Sequence, residues 1–309
     1  MQSANVAPAP AALPRPAEID EVDLVPVRTY WQLVRQRFAR HQMAVISVFT
    51  LSIIIAVAIV IPFMTGDAYQ KSNLRLINAP ASLQAPLGYN GIGQNVFLRL
   101  AKATQTSLII GFASVLIIAG IGSVVGALAG YFGGKIDNLL MRFVDVVLSL
   151  PFLFLVLLIV AFFGIRDVKV IIIAIGIAGW TTAARLVRAE FLQLRETDFV
   201  AAAKALGAGP RRIIVRHMMP GAMAPLVVAA SLGVADAIIG EAALSVLGFG
   251  IAPPEVSLGQ MLIGYRDYFF THQELIFYPS VVLVVIVLCA SFLGDGLRDA
   301  FDPRQRVES

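Results

Sequence analysis

Two acids stand inside an otherwise apolar stretch, Asp236 and Glu241 within Met223–Leu247. A carboxylate in hydrocarbon is costly, so it pairs with a neighbour, faces a wet cavity or marks a substrate path. Ser231, Gly233, Gly240 and Ser245 share the stretch. Asp236 and Gly240, four apart, fall on one helical face with Gly233 close to it. A polar face of small residues suits a wet pathway between two subunits, or else close helix packing with the acids paired. Ser231 and Asp236 are read as pathway-lining, and Glu241 with Ser245 as a gate or a structural anchor.

No other set of residues converges on chemistry. His41, His217 and His272 lie far apart, without metal-ligand spacing. Cys289 is the one cysteine, so no internal disulfide forms, and it reads as a small buried hydrophobe. The chain has no Gly-x-Ser-x-Gly, no His-Glu-x-x-His and no phosphate-cradling Gly-Lys-Ser/Thr loop. It is expected to bind no metal or nucleotide and not to be an enzyme.

The elements that position these acids follow from composition. The chain has 309 residues, 58% hydrophobic and 14% charged, where soluble domains carry about a quarter charged residues. Its surface must therefore face lipid. A span needs about 20 apolar residues. Six runs qualify or nearly do: Met43–Met64, Ser107–Ala129, Phe143–Phe163, Val170–Val187, Met223–Leu247 and Phe277–Leu293. Backbone groups in lipid must pair within a segment, so the runs are helices. They do not alternate as strands of a barrel would. Most of the 24 Lys and Arg residues fall in segments on the side of the N-terminus, which makes both termini cytoplasmic. The expectation is an all-α integral membrane protein with six transmembrane helices.

Residues 1–28, rich in Ala and Pro, read as a disordered tail. Residues 29–42 mix Trp31, Val34 and Phe38 with Arg35, Arg37 and Arg40, as a helix on the inner membrane surface or a plain basic anchor does. The run at 43–64 is a first span, too long and too far along for a cleaved signal. An external loop covers 65–106. Residues 107–298 hold five further spans, with a cytoplasmic loop at 188–222, and 299–309 form a cytoplasmic tail. Gly111, Gly120, Gly122, Gly126 and Gly130 in the second span suit close packing. The outer loop Ile251–Leu275, with Tyr265, Arg266, Asp267 and Tyr268, is expected to form a short helix that plugs the pore or touches a binding protein.

The loop 188–222 is the most patterned. Thr197 and Asp198 suit a helix start. Phe199, Ala202, Ala203 and Leu206 then recur on one helical face, and Gly207 terminates it. Gly209 and Pro210 restart the chain into a second short helix carrying Arg211, Arg212 and Arg216, which Pro220 ends. The small apolar face suits a groove on a partner. Arg211 and Arg212 sit at the positive dipole end, better placed against an acidic surface or lipid phosphates. A hairpin that merely ties two spans together is the alternative.

The segment Phe199–Gly207, followed by Pro220, resembles the "EAA" loop of importer permeases of the ATP-binding-cassette (ABC) class. Ala201 stands where that family has Glu, and Met219 where it has Leu. Arg142–Pro151 is similar to the start of the third span in dipeptide and oligopeptide permeases. There Arg142 and Asp145 are spaced to pair at the membrane edge, and Pro151 is expected to kink the span. Glu241–Gly250 with Pro253-Pro254 and Ser257-Leu258-Gly259, and Gly294–Arg304 at the end, resemble the same branch and its second, C-type, permease. Pro86–Asn95 departs from it: Asn90, Gln94 and Asn95 replace Asp, Arg and Asp. The swap either alters outer contacts or keeps the hydrogen bonds with amides.

The resemblance implies a type I ABC importer permease fold in a bacterial cytoplasmic (inner) membrane. It implies a coupling loop built from Phe199, Ala201, Ala202, Ala203, Lys204, Leu206, Gly207, Arg211, Arg212 and Pro220. It implies as partners a related second permease in a heterodimer, two ATPase subunits that use ATP and Mg, an extracytoplasmic substrate-binding protein and membrane lipid, with no nucleic acid. The substrate it implies is a dipeptide or oligopeptide, with nickel or oligosaccharides as alternatives. An ion-coupled secondary carrier would show inverted repeats, and an intramembrane enzyme a convergent catalytic set; neither is evident.

Overall fold

A computed structural model describes residues 29–301; the tail read at 1–28, and Asp302-Pro303-Arg304 of the C-terminal motif, lie outside the described residues. Within them the chain is helical, with a single isolated bridge between Tyr89 and Asn95.

Helix α1 (Tyr30–Arg40) is separated from α2 (Gln42–Thr65) by His41, whose Nδ1 accepts the Ala44 N–H at 3.1 Å and so caps α2. α1 buries Val34 and packs on the last helix of the bundle, which spans Gln273–Phe301, with the Trp31 ring edge-on to Phe301. Helix α3 (Val96–Phe132) starts well before the apolar run, inside the segment expected to be external loop. Asn95 Oδ1 accepts the Leu98 N–H at 3.2 Å and fixes that start. Arg99, Lys102 and Gln105 make these first turns polar, which hid them from a hydropathy reading.

The third apolar run is not one kinked helix. It breaks into α4 (Gly134–Leu148) and α5 (Phe152–Phe163), bent by 86°. Pro151 pushes Leu150 out of the helical region and ends pairing there, so a break replaces the expected kink. Among the described residues five other helical stretches are long and apolar enough to cross a membrane, and the bent pair supplies the sixth if it is counted as one span. The others are completed by α6 (Val168–Arg195), a cytoplasmic pair of short helices, α9 (Met219–Val246) and the last helix, here α11. A short helix α10 (Leu258–Gly264) forms in the outer loop, as expected.

The most extensive helix-to-helix contact among the described residues is α3 on α6. Gly122, Gly126 and Gly130 line that seam; a side chain on Gly126 would run into the backbone of Ala184 and Arg188. Such small-residue seams let spans meet backbone to backbone. Gly111 meets Val234 and Ile238 of α9, but Gly120 has open space beside it, so the packing reading fails there. Ile110, Ile171, Ile175, Ile238 and Ile286 fill the main core, while large apolar side chains such as Phe49, Phe63 and Leu116 are exposed on its outside, as a lipid-facing surface requires.

The ionic partners also differ from expectation. Asp145 is bridged at 2.5 Å by Arg185 of α6, not by its helix neighbour Arg142. α4 lies across α6, and the cross-helix guanidinium reaches the carboxylate directly. Arg188 holds Asp137 in a two-pronged pair, 2.5 Å from Nε and 2.6 Å from Nη2, fastening α4 to α6 near the inner edge.

Candidate functional site

The cytoplasmic loop folds as α7 (Asp198–Ala205), then α8 (Pro210–Arg212). Thr197 is extended before α7, but its hydroxyl donates to Leu194 O at 2.5 Å and does not cap the helix. Gly207 has φ +78°, the left-handed conformation in which a helix commonly ends, and its N–H reaches Lys204 O at 2.9 Å. Val200 and Ala203 point inward against Phe191, Ile213 and Met218. Phe199, Ala201, Ala202, Lys204 and Leu206 remain exposed, Leu206 by 88%. The expected face therefore splits: Ala203 is turned inward beside Val200, three residues before it, a residue the pattern had left out. Lys204 Nζ lies 6.0 Å from the Tyr131 ring centre.

Arg211 and Arg212 are exposed at the start of α8, but no separate second helix ends at Pro220. Residues Ile213–Met218 wind as one wider π turn, Met219 N–H reaching back to Ile214 O, and run into α9. Pro220 is the second residue of α9, but α9 continues the π turn within one helical stretch, Pro210–Val246, so the proline does not stop the chain. The wide turn absorbs the proline that the sequence reading took for a stop.

Between α3, α5, α6 and α9 lies a cavity of about 700 Å³. Gly233, Asp236 and Gly240 line one wall, as their shared face predicts, and Phe152, Thr181 and Thr182 complete it. Among the described residues, Asp236 is the only ionisable one in its lining. Ser231 is not in the wall; its hydroxyl donates to Val227 O and Val228 O of its own helix, both at 2.9 Å.

Glu241 and Ser245 are also outside this wall. Glu241 is fully buried and gathers three hydroxyls: Ser257 at 2.6 Å and Ser245 at 2.8 Å on Oε1, Ser107 at 3.4 Å on Oε2. Ser107 Oγ accepts the Leu258 N–H at 3.0 Å, and Ser257 Oγ accepts the Gln260 N–H at 3.0 Å. One carboxylate thus ties α3, α9 and the start of α10. The sequence reading named Glu241 and Ser245 but missed Ser107 and Ser257, although Ser257 carries the signal of a helix cap.

The uncharged outer segment is hydrogen-bonded through its amides. Asn90 Oδ1 accepts the backbone N–H of Gln94 at 2.8 Å, Asn90 Nδ2 donates to Gln94 Oε1 at 3.2 Å, and Gln94 Nε2 donates to Gln70 O at 3.1 Å. Asn95 is the cap of α3.

Comparison with known proteins agrees with this architecture. Residues 122–307 match the family model of the binding-protein-dependent transport system inner membrane component. Residues 29–86 match that of the N-terminal transmembrane domain of oligopeptide transport permease C. The oligopeptide transport system permease protein OppC of Haemophilus influenzae is 36% identical over 90% of this chain and 90% of its own length. OppC of Mycobacterium tuberculosis is 35% identical over 89% of this chain and 94% of its own. Among solved structures, an inward-facing conformation of the MetNI methionine ABC transporter superposes with TM-score 0.54 at 24% identity, covering 66% of this chain and 96% of that one. The chain therefore belongs to the inner-membrane components of binding-protein-dependent transport systems, as a multi-pass permease subunit of an ABC importer.

Proposed function

We propose that this chain is one half of a peptide-conducting pore, its substrate class that of the OppC relatives and its drive supplied by ATPase subunits. The observation that carries the reading is α7: apolar Phe199 and Leu206 are exposed on a helix whose other face is locked into the bundle by Val200 and Ala203. An exposed apolar helix face on a rigid footing suits a groove on another protein. The adjoining exposed Arg211 and Arg212 favour an acidic rim around that groove.

In this reading two ATPase subunits bind and hydrolyse ATP with Mg, and this chain binds no nucleotide. Their closure pulls Phe199–Gly207, and the α3–α6 seam carries the movement to the cavity at Asp236. A related second permease closes the pore. A substrate-binding protein delivers peptide from outside. Arg188 and Asp137 brace the inner end of α6, from which the loop hangs.

The test is co-purification of the tagged chain from its native membrane in mild detergent. Recovery of a related permease and ATPase subunits, with the ATPase lost in Phe199→Asp and Leu206→Asp, is expected. Recovery of the folded chain alone or only as a homo-oligomer overturns the reading.

A further inference from the structure

At the outer end of the bundle, away from the coupling loop, a second cavity of about 420 Å³ lies between the 70–94 loop, the start of α3 and α10. Its wall is polar in an unusual way. Arg99 Nε, Gln260 Oε1 and Tyr265 Oη are buried, line this cavity through their residues, and have no hydrogen-bond partner among the described residues. Tyr265 is only 5% exposed. Asn90 and Arg99 lie beside its hydroxyl without meeting hydrogen-bond geometry. Burial pushes the Tyr265 phenol above its ordinary value, with the Arg99 charge pulling the other way, so the hydroxyl stays protonated and able to donate.

Buried polar atoms are almost always paired, and each unpaired one costs on the order of 1–3 kcal/mol. Three such atoms around one cavity form a site for something that satisfies them. A guanidinium N–H and a phenol O–H both donate, and a partner suited to two such donors, one charged, is an anion with two acceptor oxygens. Gln260 Oε1 is an acceptor beside them, suited to an amide N–H. Glu255 also lines the cavity, without an ion pair to Arg99 within the salt-bridge distance. Its charge opposes any anion, a polyanion such as phosphate more than a single carboxylate, and suits an N–H beside that carboxylate.

We propose that this cavity is a carboxylate-binding site, held by Arg99 and Tyr265 with Gln260 taking an adjacent amide N–H. The carboxylate belongs either to a peptide's C-terminus or to an acidic side chain presented from outside. Asn90, buried beside Tyr265, gives the test its handle: Asn90→Asp is nearly isosteric and places a carboxylate in the site from within.

The experiment uses the full-length chain in lipid nanodiscs with the subunits that co-purify with it. Binding is followed by saturation-transfer NMR with N-acetyl-Ala-Ala, N-acetyl-Asp-N-methylamide and the uncharged N-acetyl-Ala-Ala-amide. At least one carboxylate probe is expected to bind, with the uncharged one silent, and Arg99→Gln and Asn90→Asp each to weaken binding by about tenfold or more. Preference for the first probe assigns the site to a peptide C-terminus; preference for the second assigns it to an acidic side chain. Thermal unfolding identifies a variant that has lost its fold, and Asn90→Asp decides the matter if Arg99→Gln has. Equal binding of charged and uncharged probes, no binding of either carboxylate, or undiminished binding in folded Asn90→Asp overturns the proposal.

Discussion

Ser257 Oγ lies 2.6 Å from Glu241 Oε1, a hydrogen bond that closes the outer loop onto the last turns of α9. The same oxygen takes Ser245, and the other takes Ser107. Glu241→Ala removes the acceptor of three buried hydroxyls at once. Ser245 can turn back to its own helix, but Ser257 caps α10 and has no such carbonyl to reach. The variant is expected to lose about 3 kcal/mol of stability, seen as a lower unfolding temperature in detergent, while Glu241→Gln loses less because it keeps one acceptor oxygen. An unchanged midpoint in Glu241→Ala would show that the network is not a tie.

Gly207 ends α7 at φ +78° with nothing within 4 Å of where a side chain would start. The demand is conformational, not steric. A non-glycine residue there costs about 1–2 kcal/mol, more when β-branched, and that strain falls on α7, the helix proposed to meet the ATPase. Gly207→Val is expected to insert and fold but to lose ATP-driven uptake. Normal uptake by this variant, measured with radiolabelled peptide in cells, would remove the coupling role.

Much of this was legible from residue types. The apolar runs located the spans, because lipid demands unbroken apolar helices. The Asp236 face was legible from its spacing with Gly233 and Gly240. What escaped depended on long-range geometry. The first turns of α3 carry Arg99, which lines the outer cavity, with Lys102 and Gln105, so hydropathy passed over them. Pro220 looked like a stop because a π turn leaves no mark in sequence. Asp145 was matched to Arg142 because only neighbours four residues or fewer away are visible before α4 and α6 are brought together. Ser107, 134 residues before Glu241, could not have been paired with it by any local pattern.

Asp145 and Arg185 are each about half exposed, so their 2.5 Å bridge is worth little despite its geometry. A double-mutant cycle with Asp145→Asn and Arg185→Gln is expected to give a coupling of about 0.2–1 kcal/mol in unfolding. The cycle of Asp145→Asn with Arg142→Gln is expected to give none. Coupling to Arg142 equal to or above that to Arg185 would place the ion pair along α4 after all.

Asp236 faces the cavity with no ion pair or hydrogen bond to the described residues, so its charge is not spent on the fold. Asp236→Asn keeps the size of the side chain and removes only the charge. Thermal stability is therefore expected to stay as it is, and ATPase stimulation through the proposed coupling loop likewise, because the loop is untouched. What changes is the attraction for a passing cation. Uptake of peptides carrying a net positive charge is expected to fall by about fivefold relative to neutral peptides, on the order of 1 kcal/mol for a partly solvated carboxylate. Competition between a lysine-containing and an alanine-only peptide measures that ratio directly. Equal loss for both peptides would point to a role in gating or packing, and no change in either would take Asp236 out of the pathway.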